Sequence, residues 1–236
     1  MKLGLFAYNF PHRKTQDFIS RLLFEGYKID VILAADPVQL NIAPSAIKSK
    51  IRHQGAMHPA TIAKNLGIPY FVVKHNSAEA VAIVEQHNLD IGIIAGARIL
   101  KPLIIDSFKA GVINYHPGLI PESRGLDALY WSIYNNIPLG ITAHLIDKDI
   151  DAGKILDRKI IPLYKDDTIF DLSERLYEIQ LDMIDSSIKM ALSGEGINLQ
   201  NGSGYNRKME VELEQQIVSK LPAYLQDQIE KVNNGC

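Results

Sequence analysis

Leu3-Gly4-Leu5-Phe6-Ala7-Tyr8, Ile29-Asp30-Val31-Ile32-Leu33-Ala34 and Ile91-Gly92-Ile93-Ile94-Ala95 are short runs in which nearly every residue is apolar. A strand with one face in water alternates apolar and polar residues. These runs do not, so each reads as a strand buried on both faces, the habit of parallel sheets. Helical spacings lie between them. Thr15 to Glu25 places Phe18, Ile19, Leu22 and Leu23 on one side, His58 to Leu66 is a short helix stopped by Gly67, and Ser77 to His87 carries Ala80, Val81 and Val84. With Tyr70 to Val73 as a further strand, the alternation predicts an α/β chain whose parallel sheet is covered by helices on both faces.

Beyond residue 100 the pattern changes. Gly111 to Asn114 is a short strand followed by a loop rich in Pro and Gly from His116 to Gly125, and a helix runs from about Leu126 to Asn135. Leu139 to Ile146 and Ile155 to Leu163 read as strands around a turn-rich loop, Asp149 to Gly153. Thr168-x-x-Asp171 is a capping-box signature opening a helix that carries Ile169, Leu172, Leu176, Ile179 and Met183 in one stripe and stops at Gly194. The charged segment Met209 to Val232 is expected to break in two at Pro222. The long connection Asp36 to Gly55, with Lys48, Lys50, Arg52 and His53, reads as a surface excursion, more readily a solvated basic loop than a carrier of a substrate contact.

Composition excludes several classes. In 236 residues, 47% are hydrophobic and 22% charged, close to an average globular chain and unlike a disordered or membrane protein. The length suits one domain with a small appendage, residues 1–195 and 196–236. Lys and Arg number 25 against 27 Asp and Glu, a net charge of −2, so no global positive field exists to attract nucleic acid. The single cysteine, Cys236, allows neither an internal disulfide nor a cysteine metal site. The apolar N-terminal stretch is too short for a signal sequence and no run approaches the roughly 20 residues that span a bilayer. The expectation is a soluble, cytoplasmic protein with no membrane partner.

The chemistry concentrates in Ile113-Asn114-Tyr115-His116-Pro117-Gly118-Leu119-Ile120-Pro121. Strand alternation points Asn114 and His116 to the same side, and Pro117 ends the strand. An amide and an imidazole then stand together at the C-terminal end of a strand, where open α/β sheets bind ligands. Both groups donate hydrogen bonds, which suits negative charge developing on an oxygen. By itself an Asn-x-His pair reads more readily as a strand cap and a loop contact. A second stretch, Thr142-x-His144-x-x-Asp147-x-x-x-Asp151-Ala152-Gly153, changes that weighting. Asp151 before a small-residue turn is placed to reach back to an imidazole and hold it charged. His144 reads as a packed residue behind the site.

These residues together resemble the family of formyltransferases that use 10-formyltetrahydrofolate. It includes glycinamide ribonucleotide transformylase, the N-terminal domain of methionyl-tRNA formyltransferase and the sugar N-formyltransferases. The family signature of an Asn, a His two residues later in a His-Pro-x-Leu-Leu-Pro-like loop and an Asp about 35 residues on is matched by Asn114, His116 and Asp151. Arg124-Gly125 and Trp131-x-Ile133 look most like the sugar enzymes, and Ala95 to Pro102 is similar to the family's folate-binding segment. The resemblance spans roughly residues 1–195. It implies a Rossmann-like fold, no metal, and an oxyanion held by Asn114 and a protonated His116 with Asp151 keeping the ring charged. It places the pterin of 10-formyltetrahydrofolate near Arg98, Ile99, Leu100, Ile146, Asp147 and Asp149.

The acceptor is less determined. The purine enzyme cradles a phosphate in a Gly-rich loop after its first strand. Here that place reads Ala7-Tyr8-Asn9-Phe10-Pro11-His12-Arg13-Lys14, without glycine. The tRNA enzyme adds a C-terminal domain larger than the forty-odd residues present here. What the family leaves is a small-molecule amine acceptor, a nucleotide-linked amino sugar of a cell-surface glycan such as lipopolysaccharide. Tyr8, Phe10, His12, Arg13, Lys14 and Arg124 would meet it, and residues 196–236 would serve either as an arm pairing two copies or as a terminal helix on its own domain. Glycinamide ribonucleotide or another small amine, hydrolysis of 10-formyltetrahydrofolate, and a non-catalytic binding role stay open at this point.

Overall fold

The computed structural model describes residues 1–39, 41, 44–48, 55–147, 153–198 and 204–233. Among these residues seven strands form one sheet: β1 (Leu3–Tyr8), β2 (Val31–Ala35), β3 (Tyr70–Val72), β4 (Ile91–Ile94), β5 (Val112–His116), β6 (Gly140–Leu145) and β7 (Ile155–Ile160), in the order β3-β2-β1-β4-β5-β6-β7. The five strands from β3 to β5 are parallel, and β6 and β7 close the far side antiparallel. The α/β, mostly parallel, Rossmann-like architecture expected from the sequence is the one found.

The helices are α1 (Arg13–Phe24), α2 (Pro59–Leu66), α3 (Ala78–His87), α4 (Pro102–Ile105), α5 (Ala128–Tyr134), α6 (Ile169–Asp182), α7 (Ile184–Ser193) and α8 (Val211–Asn233). They make two cores. On one sheet face Phe18 and Leu22 of α1, Leu172 and Leu176 of α6, Ile188 of α7 and Ile217 and Leu221 of α8 pack with Leu5 and Tyr115. On the other, Val84 of α3 and Ile104 and Phe108 around α4 pack on Phe6 and Leu33. A Cβ at Gly4 would come 2.8 Å from Leu89 and 3.2 Å from Phe108, and one at Gly92 3.1 Å from Phe108. The two glycines inside the strand runs thus make the space that the Phe108 ring fills.

Three expectations need correction. The helix foreseen from Thr168 to Gly194 is two, α6 and α7, with the turn at Met183, which is fully buried. Its capping box forms as read, with the Asp171 amide donating to Thr168 Oγ1 and the Thr168 amide to Asp171 Oδ2. Pro222 does not break α8, which runs from Val211 to Asn233 with the proline inside. The missing N–H would have bonded the carbonyl of Val218, an exposed residue, so that carbonyl is not shut away from solvent. β7 stops at Ile160 rather than Leu163. The inner face of α8, with Ile217, Leu221, Tyr224 and Leu225, is buried in the same core as the sheet. Among the described residues, no helix is long and apolar enough to cross a membrane.

Candidate active site

Asn114 and His116 occupy the last turns of β5, where the sheet changes from parallel to antiparallel pairing. Their partners across β6 are His144 and Thr142. Asn114 Nδ2 lies 3.3 Å from His144 Nε2, so the fully buried His144 supports the amide from behind. His116 is 4% exposed, and its Nε2 lies 2.7 Å from the carbonyl oxygen of Ser123. A carbonyl only accepts, so this nitrogen carries a proton. Ser123, which the sequence reading passed over, is held in turn: its Oγ donates to the Ala128 carbonyl at 3.3 Å and the Ser132 hydroxyl donates to it at 2.9 Å. Thr142 Oγ1 donates to the Gly118 carbonyl at 2.8 Å and accepts from the Ile120 amide at 3.0 Å. The loop over His116 is therefore fixed from two sides.

The pair opens into a cleft of about 1110 Å³. One wall, Ile94, Ala97, Leu100 and Ile146, belongs to the core of the face covered by α3 and α4. The other holds Leu176, Leu129 and Tyr130, which pack with the core of the opposite face. The cleft thus straddles the C-terminal edge of the sheet with Asn114 and His116 between its walls. Its volume stands at the upper end of the ~300–1,000 Å³ typical of small-molecule sites.

Of the residues expected to hold the donor, Arg98, Ile99, Leu100, Ile146 and Asp147 line the first wall. The apolar members suit the flat face of a pterin, and Arg98 and Asp147 add polar groups at its rim. Arg98 Nη2 donates to the Val38 carbonyl at 3.1 Å. Asn76, absent from the sequence reading, shapes this wall: Nδ2 donates to the Ile99 carbonyl at 2.9 Å and Oδ1 accepts from the Lys101 amide at 2.8 Å. Asp149 and Asp151 lie outside the described residues, as do Lys50, Arg52 and His53 of the long connection.

The residues expected to meet the acceptor divide. Tyr8 lines the cleft, with its hydroxyl donating to the Ala97 carbonyl at 2.9 Å and burial raising its pKa against the pull of Arg98. Phe10 and His12 do not themselves line the cleft; Phe10 stacks on the Tyr8 ring at 5.0 Å, and His12 meets both rings edge-on. Burial, with Lys14 nearby, pushes the His12 pKa down. Arg13 is not in the cleft. Its guanidinium forks onto Glu174 at 2.8 and 2.7 Å, lies 3.4 Å from Asp17 and sits 4.3 Å over the Tyr177 ring, so it clasps α1 to α6. Lys14 turns to the Phe18 ring, 5.0 Å from its centroid, and burial lowers its pKa to about 8. Arg124 is beside Gly125, a lining residue, but does not itself line the cleft. The second wall instead includes Ser173, Tyr177 and Gln180 of α6, and Tyr205. The apolar stripe of α6 was legible, but its cleft side depends on how α6 crosses the sheet.

No group of three or more His, Cys, Asp or Glu side chains placed to hold a metal occurs among the described residues. The arrangement is a pair of hydrogen-bond donors at the centre of a two-sided cleft, suited to stabilising negative charge on an oxygen while a group passes between two substrates.

Comparisons with known proteins fit this geometry. The human trifunctional purine biosynthetic protein adenosine-3 is 26% identical over 204 residues, 82% of this chain but 20% of that protein. The chain spans a third or less of the length of the first curated relatives it matches. In fold, it is similar to phosphoribosylglycinamide formyltransferase from Bacillus halodurans, with a TM-score of 0.62, 19% identity, and coverage of 84% of this chain and 100% of that one. It is equally similar to a sugar N-formyltransferase from a Shewanella species, with a TM-score of 0.61, 21% identity, and coverage of 92% and 88%. A family whose members take their formyl group from 10-formyltetrahydrofolate fits a cleft with two walls. The formyl transferase family model matches residues 35–186, a stretch that holds Asn114, His116 and most of both walls, and the chain belongs to that family.

Proposed function

We propose that this protein is an N-formyltransferase that moves the formyl group of 10-formyltetrahydrofolate to the primary amine of a nucleotide-linked amino sugar. The observation that carries the reading is the placement of Asn114 and His116 side by side between the walls of the cleft. The donor would lie on the Ile94–Leu100 side with its formyl group over β5, and the acceptor on the α6 side. As the amine lone pair attacks the formyl carbon, charge moves onto the formyl oxygen. There it meets an N–H of Asn114 and the proton at Nδ1 of His116. Restoring the carbonyl breaks the bond from carbon to the folate nitrogen, which takes the proton that the attacking amine gives up. The Ser123 carbonyl keeps the imidazole oriented throughout. The resemblance gives Asp151 the task of keeping the ring charged.

The choice of acceptor rests on the loop after β1. A ribonucleotide phosphate needs convergent backbone N–H groups, and this loop instead carries Tyr8, Phe10 and His12 packed on one another. Rings of this kind favour a sugar or a base. The test is tetrahydrofolate release from 10-formyltetrahydrofolate with a panel of nucleotide-linked amino sugars, glycinamide ribonucleotide and methionyl-tRNA. Release driven by a nucleotide sugar supports the reading. Release driven by glycinamide ribonucleotide alone would replace the acceptor, and release without any acceptor would make the protein a hydrolase.

A further inference from the structure

The residues just before α8, 205–209, are fastened at the cleft by backbone and side-chain hydrogen bonds. Gly125 and Asn206 form a bridge, the Leu126 amide donates to the Asn206 carbonyl at 2.9 Å, and the Asn206 amide donates to the Arg124 carbonyl at 3.0 Å. The Met209 amide donates to Asp127 Oδ2 at 2.8 Å, and Trp131 Nε1 donates to the Arg207 carbonyl at 2.8 Å. Two unusual backbone positions accommodate this clasp. Gly125 has φ +97°, and a Cβ there would stand 2.2 Å from the Asn206 carbonyl oxygen. Asp127 is a non-glycine residue at φ 51°. Such positions persist only where the surroundings over-determine them, and they concentrate at ligand sites.

The clasp sets Tyr205 on the cleft wall, 41% exposed. Its anchors, Gly125 to Trp131, adjoin the wall opposite Ile94 and Leu100. A rigid backbone presenting a half-exposed aromatic ring at the cleft offers area at little entropic cost. We infer that Tyr205 is a specificity-determining residue for the acceptor, its ring carrying the part remote from the reacting amine, a flat heteroaromatic base. This rests on the function proposed above and deepens it, since a bare amino sugar would not need the ring.

The test compares wild type with Tyr205→Ala, Tyr205→Leu and Tyr205→Phe, using uridine- and thymidine-diphosphate-linked amino sugars and the corresponding amino sugar 1-phosphates. The expected result is a KM for the nucleotide-linked acceptor raised about tenfold or more by Ala and Leu, the loss that removing a base–aromatic stack gives. Tyr205→Phe should stay within about twofold of wild type. The donor KM and the rates with 1-phosphates should not move in any variant. Leu keeps the bulk of the site, so it separates stacking from packing. An unchanged acceptor KM in Ala and Leu, with active wild type, would overturn the role of Tyr205 alone. A donor KM that moves equally would also overturn it. A wild type that accepts none of the nucleotide-linked amines would overturn the proposed acceptor and this inference together.

Discussion

His116 Nε2 and the carbonyl oxygen of Ser123 stand 2.7 Å apart across the Gly118–Pro121 loop. The contact fixes one tautomer, and under the proposed mechanism it leaves the other nitrogen to face the reacting oxygen. It also explains Gly118, where a Cβ would come 2.6 Å from the Ser123 carbonyl oxygen and 2.9 Å from His116 Nε2. Replacing His116 with Asn should lower kcat by about 10²–10³, as loss of an oxyanion donor does, and should cost about 1–3 kcal/mol of stability, because the buried Ser123 carbonyl loses its donor. Gly118→Ala should lose activity as well, through a displaced ring, and should destabilise the fold by about 1–3 kcal/mol. Steady-state rates and thermal melts of the two variants check this. Near-wild-type turnover in His116→Asn would remove His116 from the mechanism.

Arg13 gives an opposite expectation. Its fork onto Glu174 and its stack on Tyr177 make it a clasp between helices. Both charges are about one-third exposed, so water screens the pair. Arg13→Ala should cost up to about 1 kcal/mol in denaturant midpoint and leave the acceptor KM within about twofold. A large rise in KM with unchanged stability would return Arg13 to the acceptor site.

The difference between Arg13 and Tyr8 shows what the sequence could carry. Periodicity located β1, α1 and the cleft-facing end of β5, because burial on two faces or one stripe leaves a local pattern. It also placed Asn114 and His116 together, since alternation along a strand is geometry. Arg13, Ser123, Asn76 and Tyr205 depend on contacts between elements far apart in the chain, Arg13 with Glu174 and Arg124 with Asn206. No local spacing encodes those. Pro222 failed in the same way: a proline weakens a helix locally, but α8 is held by the packing of Ile217, Leu221 and Leu225 on the core, a tertiary fact.

Lys14 yields a prediction with a definite sign. Burial lowers its pKa from 10.5 to about 8. Below pH 8 the ammonium is charged in folded and unfolded chains alike, and the folded state carries the cost. Between pH 8 and 10.5 the unfolded chain binds more protons, so stability should rise with pH over that window. The rise should be up to about 3 kcal/mol. Lys14→Met, which keeps the contact with Phe18, should be more stable than wild type at pH 7 and should lose that rise. Urea midpoints of both proteins at pH 7 and pH 10 test it. Parallel pH dependence in the two would mean that Lys14 is solvated.

Glu214 runs the other way. It is 0% exposed on α8, accepts from the Ala46 amide at 2.8 Å and from the Ser45 hydroxyl, and so ties the connection after β2 to the C-terminal helix. Ser45 also bonds Tyr130, a residue of the cleft wall. Burial works against the charge, yet the Ser45 hydroxyl, the Ala46 amide and nearby Lys208 hold the carboxyl below its ordinary pKa. Its stabilisation is therefore complete above pH 4.5 and is lost as pH falls through the lower folded value. Glu214→Gln replaces one acceptor oxygen with a donor that meets the donors of Ser45 or Ala46. It should destabilise the protein at pH 7 by roughly 1–3 kcal/mol and lessen the fall in stability between pH 5 and 3. Denaturant midpoints across that range decide it. If the variant and wild type lose stability in parallel as the pH drops, Glu214 does not carry the charge that fastens the connection, and other carboxylates account for the acid sensitivity.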